Sequence, residues 1–158
     1  MLIVGCGCRG RALARELRAA GHAVRGTTRR PERLAEIEAA GAEAVVADPD
    51  RLGTLMTQLQ GVSLVCWLMG SADTGAATDL HGPRLHTLLE RLVDTPVRGI
   101  VYEAGGSVAP ELLAGGAAAV REASVTWSIP AEVVEADPRD PDAWLSAMTA
   151  AVQGLLEM

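Results

Sequence analysis

The stretch LIVGCGCRGRALARELRAAGH, residues 2 to 22, constrains the fold more than any other part of the chain. Leu2, Ile3 and Val4 read as a short buried strand. Glycines follow at once at positions 5, 7 and 10, and an amphipathic helix begins before they end. A strand, the spacing Gly-x-Gly-x-x-Gly and a helix in that order is the start of a doubly wound α/β domain. In that setting Gly5 permits a tight turn, Gly7 removes a Cβ from the path of a pyrophosphate, and Gly10 lets the helix pack closely on the strand. The helix N-terminus adds free N–H groups and roughly half a positive elementary charge. The alternative is a glycine-rich turn that binds nothing.

The rest of the chain repeats the alternation. HAVRGTT reads as a second strand, with Pro31 opening a helix that turns Leu34 and Ile37 inward and stops at Gly41. AEAVVAD is a third strand, Arg51 to Gln60 a short helix, and VSLVCWL the most apolar strand, suited to the centre of a parallel sheet. The polar, small-residue stretch MGSADTGAATDLHG reads as the longest loop. Pro83 starts a leucine-rich helix, VRGIVYE is a fifth strand, and a glycine-weakened helix spans about Pro110 to Arg121. SVTWSIP reads as a sixth strand stopping at Pro130, and Asp140 and Pro141 open a last helix carrying Trp144, Met148, Val152 and Leu155. The expected architecture is one domain over residues 1–158, an NAD(P)-binding Rossmann fold: a doubly wound parallel α/β sheet of about six strands. Its ligand rim comprises the loops at 5–10, 27–31, 48–50, 68–79 and 103–109.

Composition narrows the function. A chain of 158 residues, 49% of them hydrophobic, buries enough surface to fold without metal or disulfide. The net charge of −6 and the lack of a long arginine run argue against a nucleic-acid partner. Cys6, Cys8 and Cys66 cannot all pair, and Cys6 and Cys8 supply too few ligands for a metal, which points to small buried side chains in a reducing compartment. No signal peptide and no apolar run of roughly 18 to 20 residues is seen, so a cytoplasmic location off the membrane is expected. His81 and His86 read as exposed or capping residues. The chain has no lysine, which excludes Schiff-base chemistry on a lysine side chain.

NAD is held in this architecture by an acidic residue about 20 positions beyond the glycines. Here no acid lies between Glu16 and Glu32, and the second strand ends in Thr27, Thr28, Arg29 and Arg30. A guanidinium fork suits the 2′-phosphate of NADP by charge and by bidentate geometry, so NADP is expected over NAD. The alternative is that both arginines are merely solvated. Arg9 and Arg11 add positive charge at the same mouth.

From LIVGCGCRGRALARELRAAGHAVRGTTRRPERL through GAEAVVADPDRL, the sequence resembles the atypical, extended short-chain dehydrogenase/reductases, in particular their NAD(P)H-binding NmrA-like and epimerase-like branch. The resemblance implies that Arg29 meets the 2′-phosphate, that Asp48 after the third strand meets the adenine, and that Leu68, Met69 and Gly70 run beside the cofactor's ribose. With Gly5, Gly7, Cys8, Arg9, Gly10, Thr28 and Arg30, these make the expected cofactor site. It also implies that SVTWSIPAEVV is the family's sixth strand, after which a substrate region begins; here that region is trimmed to little.

Active members of the family use a tyrosine and a lysine four residues apart. This chain has no lysine, and its single tyrosine, Tyr102, falls within the fifth strand. The remaining polar candidates are Ser107, Glu103, Asp73 and Thr74, each of which also suits a loop-forming or capping role. Two functions stay open: a small NADP-dependent oxidoreductase acting on a small-molecule substrate, and an NADP(H)-sensing module like the NmrA-like regulators and the nucleotide-binding domains of potassium-uptake regulators. A homodimer is one assembly that the trimmed rim admits.

Overall fold

The computed structural model describes residues 1–158, with the side chain of Thr74 outside the description. Strands and helices alternate: β1 (Leu2–Val4), α1 (Cys8–Ala19), β2 (Arg25–Thr28), α2 (Leu34–Ala39), β3 (Glu43–Val46), α3 (Leu52–Met56) and β4 (Leu64–Trp67). Two helices then follow in succession, α4 (Thr74–Leu80) and α5 (Pro83–Leu92), before β5 (Gly99–Glu103), α6 (Pro110–Trp127), β6 (Ala131–Val134) and α7 (Pro141–Leu156). The six strands form one parallel sheet in the order β3-β2-β1-β4-β5-β6. The winding direction therefore reverses between β1 and β4, and the carboxyl ends of those two strands mark the ligand-binding edge of such a sheet.

Burial explains the order. All four residues of β4 are buried, as befits a strand with neighbours on both edges and helices on both faces. On one face Leu55, Leu88 and Val120 pack from α3, α5 and α6; on the other Leu13, Ile37, Trp144 and Met148 pack from α1, α2 and α7. Leu13 and Leu17, on one stripe of α1, are 0% and 1% exposed. Each contributes about 2 kcal/mol of apolar burial. Gly21 and Gly41 end α1 and α2 with positive φ, as the sequence implies.

Three sequence expectations need correction. The stretch 69–82 is not one loop: residues 74–80 form α4, because Ala77 and Leu80 bury a face and alanine is the strongest helix former. The helix expected over 51–60 is confined to Leu52–Met56. SVTWSIP is not the sixth strand. α6 runs on to Trp127, held by the buried face Ala117, Ala119, Val120 and Ala123, and the β-branched residue Val125 lies 85% exposed. Packing thus overrides the strand propensity of that stretch. β6 begins after Pro130 at the sheet's edge, where the Pro130 carbonyl accepts from Ile100 N at 3.0 Å. The glycines of α6 also have a use: a Cβ at Gly116 would collide with the Tyr102 hydroxyl, so the glycine lets that ring lie under the helix.

Candidate functional site

The loop after β1 is built from backbone contacts. Gly5 has φ +80, and a Cβ there would strike the Met69 side chain and lie 2.7 Å from the Leu68 carbonyl. Cys6 N donates to Thr27 O at 2.9 Å and Gly5 N to Thr27 Oγ1 at 3.2 Å, which pins the turn to β2. A Cβ at Gly10 would lie 3.1 Å from the Gly5 carbonyl, so glycine there lets α1 approach β1. Gly7 differs: a Cβ added to it meets no atom within 4 Å. No side chain caps α1, and its first turn holds no acidic residue, so its N–H groups face open space beside Gly7. Bare backbone and a positive helix end together make an anion cradle.

The cradle is one wall of a cleft of about 420 Å³. Gly5 and Gly7 line it from the β1–α1 loop and Cys8, Arg9 and Gly10 from the start of α1; Thr28, Arg29 and Arg30 line it from the end of β2; Asp48 lines it from the end of β3, and Leu68 and Met69 from the end of β4. Gly70 does not line it. It is buried, with its N–H on Glu103 and its α-carbon under the loop at Gly105 and Gly106. Asp50 and Ser71 line it from the rim loops expected at 48–50 and 68–79 without having been singled out, and Arg33, outside those loops, was missed. The nearest signal for Arg33 was its place one turn beyond Arg30.

Charges on this wall are unevenly spent. Glu36 pairs with Arg11 at 3.1 Å and Arg33 at 3.3 Å, and Asp50 pairs with Arg84 at 3.0 Å. Arg29 and Arg30 are exposed, and among the described residues their guanidinium groups make no ion pair or hydrogen bond. Asp48 shapes its own loop, with Oδ1 accepting from Asp50 N at 2.9 Å.

Glu103 ends β5 fully buried, not on the loop that follows. Its carboxylate accepts from Gly70 N at 2.8 Å, Trp144 Nε1 at 2.9 Å and Arg9 Nη2 at 3.1 Å. The Arg9 guanidinium also lies 5.6 Å from the Trp144 ring centroid. This carboxylate therefore clasps α1, the β4 loop and α7 to the end of β5. Beyond Arg9 opens a second cleft of about 830 Å³, with an apolar wall from α6 and charged residues from the β6–α7 loop.

The other catalytic candidates are placed as follows. Ser107 is exposed on the β5–α6 loop, and Asp73 lies just before α4 on the first cleft's wall. Thr74's side chain is outside the described residues. Cys6 and Cys66 are buried as expected, with burial pushing their thiols up to about 11 and about 12. Cys8 is a correction: it is exposed, because it stands at the first position of α1 where the helix end opens onto the cleft.

His81 is also a correction, being 3% exposed rather than a surface or capping residue. Its Nε2 lies 2.8 Å from Met69 O, an acceptor only, so Nε2 carries the proton and Nδ1 accepts from the Tyr102 hydroxyl at 2.6 Å. Burial raises the Tyr102 phenol above its usual range, with the Glu103 carboxylate adding to the effect. Burial also lowers the His81 pKa from 6.5, opposed by the Met69 carbonyl. As pH falls the unfolded chain takes up this proton first. The stability contributed by the neutral imidazole is therefore complete above about 6.5 and is lost as pH falls through that value toward the folded pKa. Melting temperature should fall between pH 7 and pH 5, and less so in His81→Gln; an equal fall in the variant would contradict this.

These features, a parallel sheet with a glycine cradle at its switch point, define a dinucleotide-binding Rossmann domain. Residues 5–109 match the profile of the NAD(P)H-binding family, and the chain belongs to that family. Among curated proteins no sequence matches significantly. Solved structures share the fold. BdcA (YjgI) from E. coli superposes with a TM-score of 0.72 at 17% identity, over 94% of this chain and 87% of that one. A putative NAD-dependent epimerase/dehydratase from Bacillus halodurans gives 0.70 at 20% identity, over 85% and 68%. Triphenylmethane reductase from Citrobacter sp., complexed with NADP(H), gives 0.67 at 20% identity over 85% of this chain; the chain spans only 48% of the reductase's length.

Proposed function

We propose that residues 1–158 act as one NADP(H)-binding domain of a small oxidoreductase. The residues fit the cofactor. Gly7 and the first turn of α1 would take the pyrophosphate, Arg29 and Arg30 the 2′-phosphate, and Asp48 the adenine side. The observation that carries the preference for NADP is the pair of unengaged guanidinium groups where an NAD site would place a carboxylate. Bound NADPH supplies hydride. The protein's own contribution is to orient the reacting groups at the junction of the two clefts, beside Arg9. One observation favours a second reading, an NADP(H) sensor without turnover: Tyr102 is buried on His81, and no lysine exists to partner it.

Melting the protein with each dinucleotide tests the first step. At about 100 times its dissociation constant, NADP should stabilise the fold by about 2.7 kcal/mol. NAD at the same concentration should give a much smaller shift; equal shifts would remove the role assigned to Arg29 and Arg30.

A further inference from the structure

Among the described residues, only Arg9 and Ser71 line both clefts. Ser71 Oγ is held from two sides. Ser107 N donates to it at 3.3 Å and Arg9 Nη2 at 3.4 Å, so the oxygen's acceptor capacity is spent and its own hydrogen is left without an acceptor among the described residues. A hydroxyl that accepts from a cation is the better donor for it.

The position is also fixed in advance. Gly70 N is bonded to Glu103, Val108 N donates to Gly70 O at 3.0 Å, and a Cβ on Gly106 would fall 2.8 Å from Ser71 Oγ. The β4 and β5 loops thus lock around this one hydroxyl. Across the second cleft, Val108, Leu113 and Ala117 supply an apolar wall, and the two arginines farther along the cleft are paired, Arg121 with Glu135 at 3.6 Å and Arg139 with Asp137 at 2.9 Å.

We infer that the second cleft takes a small ketone or aldehyde with an apolar body, and that the Ser71 hydroxyl is the donor that fixes its carbonyl oxygen at the junction with the cofactor cleft. Ser71 is a substrate-positioning group here, and the inference deepens the oxidoreductase reading and rests on it.

The test is amide-resolved NMR titration of the full chain, with and without saturating NADP, using acetophenone and its oxygen-free isostere α-methylstyrene. Acetophenone should shift the Ser71, Gly106 and Ser107 amides and bind more tightly than α-methylstyrene. Ser71→Ala should weaken acetophenone by about fivefold to tenfold, leave α-methylstyrene unchanged, and be rescued by Ser71→Thr. Equal binding of the two probes, an unaffected Ser71→Ala variant, or no shift at these amides would each overturn the inference. Shifts at Gly7 and Arg30 on adding NADP report separately on the cofactor reading, so failure of one is told apart from failure of the other.

Discussion

Replacing Glu103 with alanine is expected to lower the melting temperature by about 10 °C, from a loss of about 3–5 kcal/mol of stability. The carboxylate is 0% exposed, and its removal strands three donors at once: Gly70 N, Trp144 Nε1 and the Arg9 guanidinium. Trp144 and Gly70 are themselves buried, so water cannot easily replace the lost acceptor. Arg9, whose side chain is 30% exposed, can turn partly to solvent, so most of the cost falls on Gly70 N and Trp144 Nε1. Glu103→Gln should cost less. Its single oxygen can still accept from Gly70 N, while its amide nitrogen must face the Trp144 N–H donor. Thermal denaturation of the three proteins checks this, and a Glu103→Ala variant melting within about 2 °C of the parent would contradict the clasp.

Gly7→Ala should separate folding from ligand binding more sharply than any other single change. A Cβ at Gly7 meets nothing within 4 Å, and the residue's φ of −80 suits alanine. Its stability should match the parent or exceed it by about 0.4–1 kcal/mol through a stiffer unfolded chain. Dinucleotide affinity should nevertheless fall by about tenfold to a hundredfold, because the methyl group occupies the line along which a pyrophosphate approaches the backbone. Calorimetric titration beside a melting curve reads both effects. Unchanged affinity would mean that the phosphates lie elsewhere. Gly5→Ala is no such test: with φ +80 and the Leu68 carbonyl 2.7 Å from the added atom, it should damage the fold itself.

The elements legible in the sequence were those with a strong local signal. Gly5, Gly7 and Gly10 sit between a strand and a helix, Pro83 and Pro141 open helices, and the leucines of α5 recur at helical spacing, so neighbouring residues alone define these parts. Sites of long-range origin were not legible. Glu103 meets Arg9 across 94 positions, Trp144 across 41 and Gly70 across 33, and no local pattern joins them. His81 was misplaced for the same reason, since its partner Tyr102 lies 21 positions away. The β6 boundary was lost because Val125 and Trp127 have strand propensity, while the face that decides their helix, Ala117 to Ala123, is set by the sheet beneath. The residues lining the first cleft were more legible because the loops at strand ends follow from strand order. Gly70 alone was drawn under the surface by packing against the neighbouring loop.

The most direct measurement is a crystal structure grown with NADP. Its pyrophosphate should lie over the Gly7 backbone at the start of α1, with the 2′-phosphate between the guanidinium groups of Arg29 and Arg30. A dinucleotide lying elsewhere on the rim, or one whose 2′-phosphate points away from both arginines, would contradict the assignment.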